Sequence, residues 1–419
     1  MTVEDERGAG AMRALMAEVD LPPSSVDVDL AVRTARRLDR RLRVTTAAAV
    51  VLAVGTASGA VAVGIGGGQT PDDKSATREC TGPPTVTALA APDIDHAGLT
   101  FTGADPSGRY LVGIAHVQSQ DRYIIRGVLW VDGSPRVFNL PPQDKNELTY
   151  ATDVNGAGLV VGGDVGDIGG SGPWTYRDGE FRRLPAAPGY DLYNGMFVNE
   201  RGDVVATAGA RDGESRSSTT PSVGVVWPAD APDQPRILRA PGWVTVTGIG
   251  DDGTVLGYVG DDFGSFLYDP YAWSPGGEAR ALAVPQGWER GTSAAVRDGR
   301  IVGYLERTTN QDLSRPPVVE AAPVEWPLDG DSAEVGPAVT GGVVTTTDSG
   351  WLSVRRDDGP TLAVAPDGRE RLLDSPAGSE LTMLDARWVS EDGRTAVGMG
   401  SSTSSPDPAA NRPVVVWRC

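Results

Sequence analysis

From residue 80 to the C-terminus, short apolar runs alternate with tight polar turns, and the alternation repeats. Seven segments share a polar turn, a glycine and then an apolar run: DPSGRYLVG, NGAGLVVG, NERGDVVA, DDGTVLG, RDGRIVG, TDSGWLS and SEDGRTAVG. Their turn glycines are Gly108, Gly158, Gly202, Gly253, Gly299, Gly350 and Gly393. Asp, Asn, Ser and Gly at these points supply tight turns, so each segment predicts a β-hairpin. A second hairpin follows the first in each unit. It usually carries a Trp, then a turn, then a strand ending near Pro, as in LWVDGSPRVFNLP, WTYRDGEFRRLP and AWSPGGEARALAVP. The Trps are Trp130, Trp174, Trp227, Trp273, Trp326 and Trp417, and the sixth unit lacks one at this position. Two hairpins make four strands, and about 48 residues per unit is the size of a propeller blade. The fold predicted is an all-β, seven-bladed β-propeller over residues 80–419, of the same broad superfold as WD40 and kelch rings.

The short turn, G-x-V-V-G, variable stretch and aromatic-x-W hairpin resemble the HAF-repeat family of extracellular β-propeller repeats. VNGAGLVVG with PWTYRDG, and DDGTVLGY with YAWSPGG, carry the resemblance best. It implies the architecture and an extracytoplasmic setting, and no agreed activity.

The ends of the repeat region predict how the ring closes. The seventh unit stops at VVVWRC, after its third strand, and the missing strand stands at the front in TVTALAAP. Residues 85–92 are therefore expected to complete the blade begun near Asp385. That register brings Cys80 and Cys419 to one turn, where a disulfide is expected, with two unpaired thiols as the alternative. Outside the membrane such a bond persists.

Hydropathy changes abruptly at the N-terminal end. Val44–Gly66, VTTAAAVVLAVGTASGAVAVGIG, carries no charge and as a helix is long enough to cross a hydrocarbon core. Arg33, Arg36, Arg37, Arg40, Arg41 and Arg43 precede it, so the positive-inside rule puts the N-terminus in the cytoplasm. The rival readings are a signal peptide cleaved near Ala60-Val61-Ala62 and a buried soluble helix. Gly55 and Gly59 form a GxxxG, a spacing that lets membrane helices approach. The parts are then a cytoplasmic helical segment 1–43, a transmembrane helix 44–66, a linker 67–79 and the propeller 80–419. In the first, Met12, Leu15, Met16 and Val19 share a helical face and Ser25 can cap a second helix. That segment reads as a membrane-surface anchor or as a docking site for a cytoplasmic partner.

Charge sharpens this division. The chain of 419 residues has a formal net charge of -19, all of it C-terminal to residue 66, because the first 43 residues balance. So acidic a surface excludes nucleic acid as a partner. Lys is nearly absent and Ala, Gly and Arg are abundant, a pattern that suggests a high-GC, actinobacterial source.

Candidate chemistry is sparse. The recurrent Trps are assigned to packing between blades, and the turn Asp and Asn residues to turn-making, since no D-x-D-x-D-G calcium run occurs. The connections between first and second hairpins read as long, at 115–127, 163–172, 208–222, 259–270, 306–323 and 400–412. They and the connections between blades share one face, where a partner would sit. Tyr123, Tyr190, Tyr193, Trp243, Asp261, Asp262, Tyr268 and Trp288 are the candidate binding residues there. Two histidines, His96 and His116, show no recurrent spacing, and Thr346-Thr347-Asp348-Ser349-Gly350 matches a sialidase box only until Ser353 replaces its Trp. No catalytic residue, metal ligand or cofactor is expected. The reading is a membrane-tethered extracytoplasmic binding module, not an enzyme, that contacts a protein or a cell-wall glycan. A transmembrane regulator with the topology of an anti-sigma factor, and a glycan hydrolase, are the alternatives.

Overall fold

The structure, a computed structural model, divides into Met1–Ala62 and Val63–Cys419. It describes residues 84–419 apart from 97, 120–121, 140–147, 166–171, 211–220, 262–267, 310–318, 329–331, 341, 347–349, 356–360, 376–378 and 403–411. The segment Val44–Gly66 lies outside the described residues, as do residues 1–43, the linker, Cys80 and Asp262. Among the described residues no helix is long and apolar enough to cross a membrane.

Seven antiparallel sheets follow one another along the chain. The first blade runs Gly98–Ala104, Tyr110–Ser119, Arg122–Val131 and Ser134–Phe138. Blade four runs Trp243–Ile249, Val255–Gly260, Tyr268–Trp273 and Ala279–Ala281, and blade five Arg290–Arg297, Arg300–Thr308, Val319–Pro327 and Glu334–Val335. Blade seven takes Leu381–Val389, Thr395–Ser402 and Val414–Arg418 from the end of the chain and Thr85–Ala88 from its beginning, with Thr85 opposite Arg418. This is a seven-bladed β-propeller.

Local chemistry accounts for the hairpins. All seven turn glycines have positive φ, between +65° and +88°. At Asp132-Gly133, Asp178-Gly179 and Asp298-Gly299 both residues have positive φ. That is the conformation of a type I′ turn, whose twist matches paired strands. The expected long connection at 115–127 is instead mostly strand: Tyr110–Ser119 and Arg122–Val131 pair along their whole length, which places Tyr123 in a strand opposite Gln118.

The Trps do the packing work expected of them. Trp130, Trp174, Trp227, Trp273, Trp326 and Trp417 are buried on third strands. Five of these indoles donate to the chain leaving the preceding blade: Trp130 to Ala90 O, Trp227 to Pro185 O, Trp273 to Arg239 O, Trp326 to Ala283 O and Trp417 to Asp374 O. The apolar clusters straddle neighbouring blades for the same reason. Val205 and Val226 of blade three, for example, pack with Val244 and Trp273 of blade four. In the sixth blade a different residue, Trp351 on the first hairpin, is buried.

A recurrent irregularity positions the site. In every blade the register between first and second strands shifts, in blade one between Phe101 and Gly103, and in blade five between Ser293 and Ala295. Such bulges re-aim the side chains beyond them. In blade five the bulge also ties the ring together. Ser293 Oγ donates to Gly257 O and Thr247 Oγ1 to Ser293 O, both from blade four.

Candidate functional site

The two ends of the ring differ in chemistry. At the tight-turn end a cavity of about 140 Å³ is lined by Asp153, Asn199, Glu200, Asp251 and Glu391, among others. Several of these polar groups hold the turns of neighbouring blades. Glu200 accepts from Gly156 N, Asp251 Oδ1 from Glu200 N, and Asp153 Oδ2 from Val198 N, while Asn199 Nδ2 donates to Gly250 O. These groups act as fastenings between blades.

The other end is where inner strands begin and second strands hand over to third strands. Four of the sequence candidates meet there in blades four and five. Trp243 and Tyr268 both stand opposite Gly260, and exposed Asp261 follows it. Half-buried Trp288 precedes the inner strand of blade five, with the Arg307 guanidinium over its ring at 4.8 Å. Arg307 in turn contacts Glu320 at 2.6 Å. The structure does not bring Tyr190 and Tyr193 to this place. Tyr190 and Tyr193 are buried in blade three, where the Tyr193 hydroxyl donates to Tyr190 O and accepts from Ala187 N. They staple their own loop. The side chains of Tyr123 and Asp262 lie outside the described residues.

Sequence reasoning missed the group that completes the site: Tyr258, Arg290, Thr292, Tyr304 and Glu306. Arg290 and Thr292 stand opposite Glu306 and Tyr304 on the paired strand. Arg290 Nε donates to Glu306 Oε2 at 2.6 Å, and both side chains are largely buried, at 22% and 9% exposure. The Arg290 guanidinium lies 6.0 Å from the centre of the Tyr268 ring, and Tyr268 packs on Tyr258 with ring centres 4.4 Å apart. Burial pushes the Tyr268 phenol up and the Tyr304 phenol well up, and the nearby Glu306 carboxylate adds to both. The phenols therefore keep their protons at neutral pH. Thr292 is 7% exposed, and its hydroxyl lies beside both phenols, where it partly offsets the upward push of burial on them. The only sequence signal was the period-two spacing of Arg290/Thr292 and Tyr304/Glu306 on either side of a D-G turn.

A carboxylate that can accept a proton beside phenols that can donate one is the equipment of general acid–base chemistry. No metal-binding set accompanies it: among the described residues no group of three His, Cys, Asp or Glu side chains could hold an ion. His116 is taken up in blade one, where its Nε2 meets Thr100 Oγ1 at 3.3 Å.

No family model matches the chain, and no curated protein matches it. Solved propellers do. Oligogalacturonate lyase from Vibrio parahaemolyticus superposes with a TM-score of 0.53 at 10% identity, covering 80% of this chain and 93% of that one. An oligogalacturonate lyase in complex with manganese gives 0.52 at 10% identity, covering 80% and 92%. The β-propeller domain of the Trilobed protease from Pyrococcus furiosus gives 0.47 at 11%, covering 76% and 93%. Likeness at this identity shows the fold. The expectation of a binding module without enzymatic activity is not upheld, because lyases are among the chains that share this ring. Scarce histidine is no ground for excluding catalysis, since phenols and carboxylates can carry it.

Proposed function

We propose that this chain is an enzyme acting on an oligosaccharide at the Tyr268–Arg290–Glu306 cluster of blades four and five. The observation that carries the reading is the Arg290–Glu306 ion pair set against two protonated phenols at the end of the ring where inner strands begin. In a hydrolysis, Glu306 takes the proton of a water that bonds to the anomeric carbon, while Tyr268 or Tyr304 gives a proton to the departing glycosidic oxygen as its C–O bond breaks. Tyr258, Tyr268 and Trp288 offer aromatic faces to the apolar face of a sugar ring. The oligosaccharide class accords with the lyases that share the fold, whose printed substrate is an oligogalacturonate.

The test is turnover by the purified full chain on neutral and uronate oligosaccharides. It is followed by new reducing ends and by the absorbance of unsaturated products. Cleavage that is lost in Glu306→Gln, with the fold retained, supports the reading. Absence of cleavage across both classes, or cleavage untouched by Glu306→Gln, overturns it.

We further infer that the repeats are of the HAF-like class and that the propeller lies outside the membrane, tethered through Val44–Gly66. A Cys80–Cys419 disulfide would close the ring. The pairing of Thr85 with Arg418 supports the clasp, because it draws the two ends of the chain to one rung, and no described cysteine is a free thiol. Thiol titration of the denatured, unreduced chain tests this, with no reactive thiol expected and two counting against it.

A further inference from the structure

The chain holds two Asn-Gly dipeptides, Asn155-Gly156 and Asn194-Gly195. By sequence they are equivalent, because a glycine has no Cβ to hinder an approach to its own nitrogen. The fold treats them oppositely. Asn155 is 2% exposed, in the first hairpin turn of blade two. Its Oδ1 accepts from Ala157 N and Leu159 N, and its Nδ2 donates to Asn199 O. Gly156 N donates to the Glu200 carboxylate at 2.9 Å. Side-chain amide and backbone nitrogen are both held, so neither turns toward the other unless several hydrogen bonds break.

Asn194 is exposed on the inner strand of blade three, Leu192–Val198. The register shifts just beyond it. Asn194 stands opposite Thr207 and Phe197 opposite Val205, which leaves Gly195 and Met196 in the bulge between rungs. Gly195 has φ +58°, and an added Cβ there would meet no atom nearer than 3.6 Å, so the dipeptide has room to turn. Among the described residues no hydrogen bond holds the Asn194 amide, and no side chain accepts from Gly195 N.

We propose that Asn194-Gly195 is a site of spontaneous deamidation in the folded chain, that Asn155-Gly156 is protected from it, and that isoaspartate at 194 loosens blade three. Gly195 N bonds to Cγ of Asn194, the Cγ–Nδ2 bond breaks, and the amide nitrogen leaves as ammonia with the Gly195 proton. The succinimide so formed takes up water. Opening at Cγ gives aspartate. Opening at the main-chain carbonyl carbon gives isoaspartate, whose backbone runs through the side chain. An amide is exchanged for a carboxylate, and nothing is oxidised or reduced. The isoaspartyl form adds a carbon to the main chain at a bulge that both neighbouring blades hold. Thr152 Oγ1 of blade two donates to Met196 O, and Val246 N of blade four donates to Thr207 Oγ1. The aspartyl form leaves the path of the backbone unchanged.

The experiment incubates the full chain, folded and in denaturant, in mildly alkaline buffer. Both peptides are followed by mass spectrometry, with aspartyl and isoaspartyl products separated by chromatography. Folded Asn194 is expected to convert at least about tenfold faster than folded Asn155, because each hydrogen bond that Asn155 must break is worth about 1 kcal/mol. In denaturant the two rates should come together. Glu200→Ala, which frees Gly156 N, should speed conversion at Asn155 and leave that at Asn194 unchanged. Chain enriched in isoaspartate at 194 should have a lower thermal midpoint than the parent, while Asn194→Asp should match the parent. Protection of Asn194 as strong as that of Asn155, or earlier conversion at Asn155, overturns the proposed site. An isoaspartyl form that melts like Asn194→Asp overturns the proposed loosening of blade three.

Discussion

Arg290 and Glu306 face each other across two strands of blade five, and Arg290 Nε donates to Glu306 Oε2 at 2.6 Å. Without the shift between Ser293 and Ala295, the D-G hairpin would count Arg290 opposite Arg307, so a single bulge turns a like-charge pairing into an ion pair. Removing Glu306 would leave a guanidinium in a place with little water. Glu306→Leu is expected to cost about 3 kcal/mol, the range for breaking a buried pair from one side. Arg290→Met with Glu306→Leu should recover much of it. Urea denaturation of the four chains of this double-mutant cycle gives the coupling, and additive costs would show that the pair is not coupled.

The Tyr268 and Tyr304 phenols have a pH signature. Their folded pKa values are raised, first by burial, with Glu306 adding to it. Their contribution to stability is therefore fully present below the unfolded value of about 10 and is lost as pH rises through the raised folded values. Absorbance titration at alkaline pH should show these two phenolates appearing after the exposed tyrosines. Tyr304→Phe should abolish the last step and flatten the alkaline loss of stability. Ionisation of all tyrosines in one ordinary step would refute this.

Asp203 makes the opposite prediction at acid pH. Its side chain, 12% exposed, accepts from Ala229 N, Asn199 Nδ2 and the Arg201 guanidinium. Burial alone would raise its pKa, but these donors together hold it below the ordinary value. Its contribution is thus present above the unfolded value of about 3.9 and is lost as pH falls through the lowered folded value. Asp203→Asn should cost roughly 1–2 kcal/mol at neutral pH. The gap from the parent chain should close below about pH 4, as followed by chemical denaturation. A gap constant with pH would mean the charge is immaterial.

Gly179 isolates backbone strain from packing. It has φ +94°, and an added Cβ there meets nothing within 4 Å. Gly179→Ala should cost about 1 kcal/mol or more through conformation alone. Gly98 has equally open surroundings without positive φ, so Gly98→Ala is the control and should be close to neutral. Equal thermal midpoints for the two variants would argue against a strained turn.

Much of the ring was legible because its signals are local. A glycine that must take positive φ recurs in every unit, a Trp stands on six of the seven third strands, and tight turns separate alternating apolar residues, all signals that act over a few residues. The candidate site was legible only in part, at Trp243, Asp261, Tyr268 and Trp288. Tyr190 and Tyr193 look the same in sequence, yet fold inward because their hydroxyl and carbonyl groups satisfy one another.

The order of strands, their turns and the number of blades were therefore determined by the sequence alone, through short-range backbone preference and hydrophobic alternation. Tertiary structure decided which side chains meet. The bulge at Ala294 has no composition of its own, yet it sets Arg290 on Glu306 and Thr292 on Tyr304. Packing of blade four on blade five then brings Tyr268 to the same group from a strand more than twenty residues away in sequence. Register and blade-to-blade contact arise from pairings across the whole ring, and these are the physical terms that a local reading of the chain does not contain.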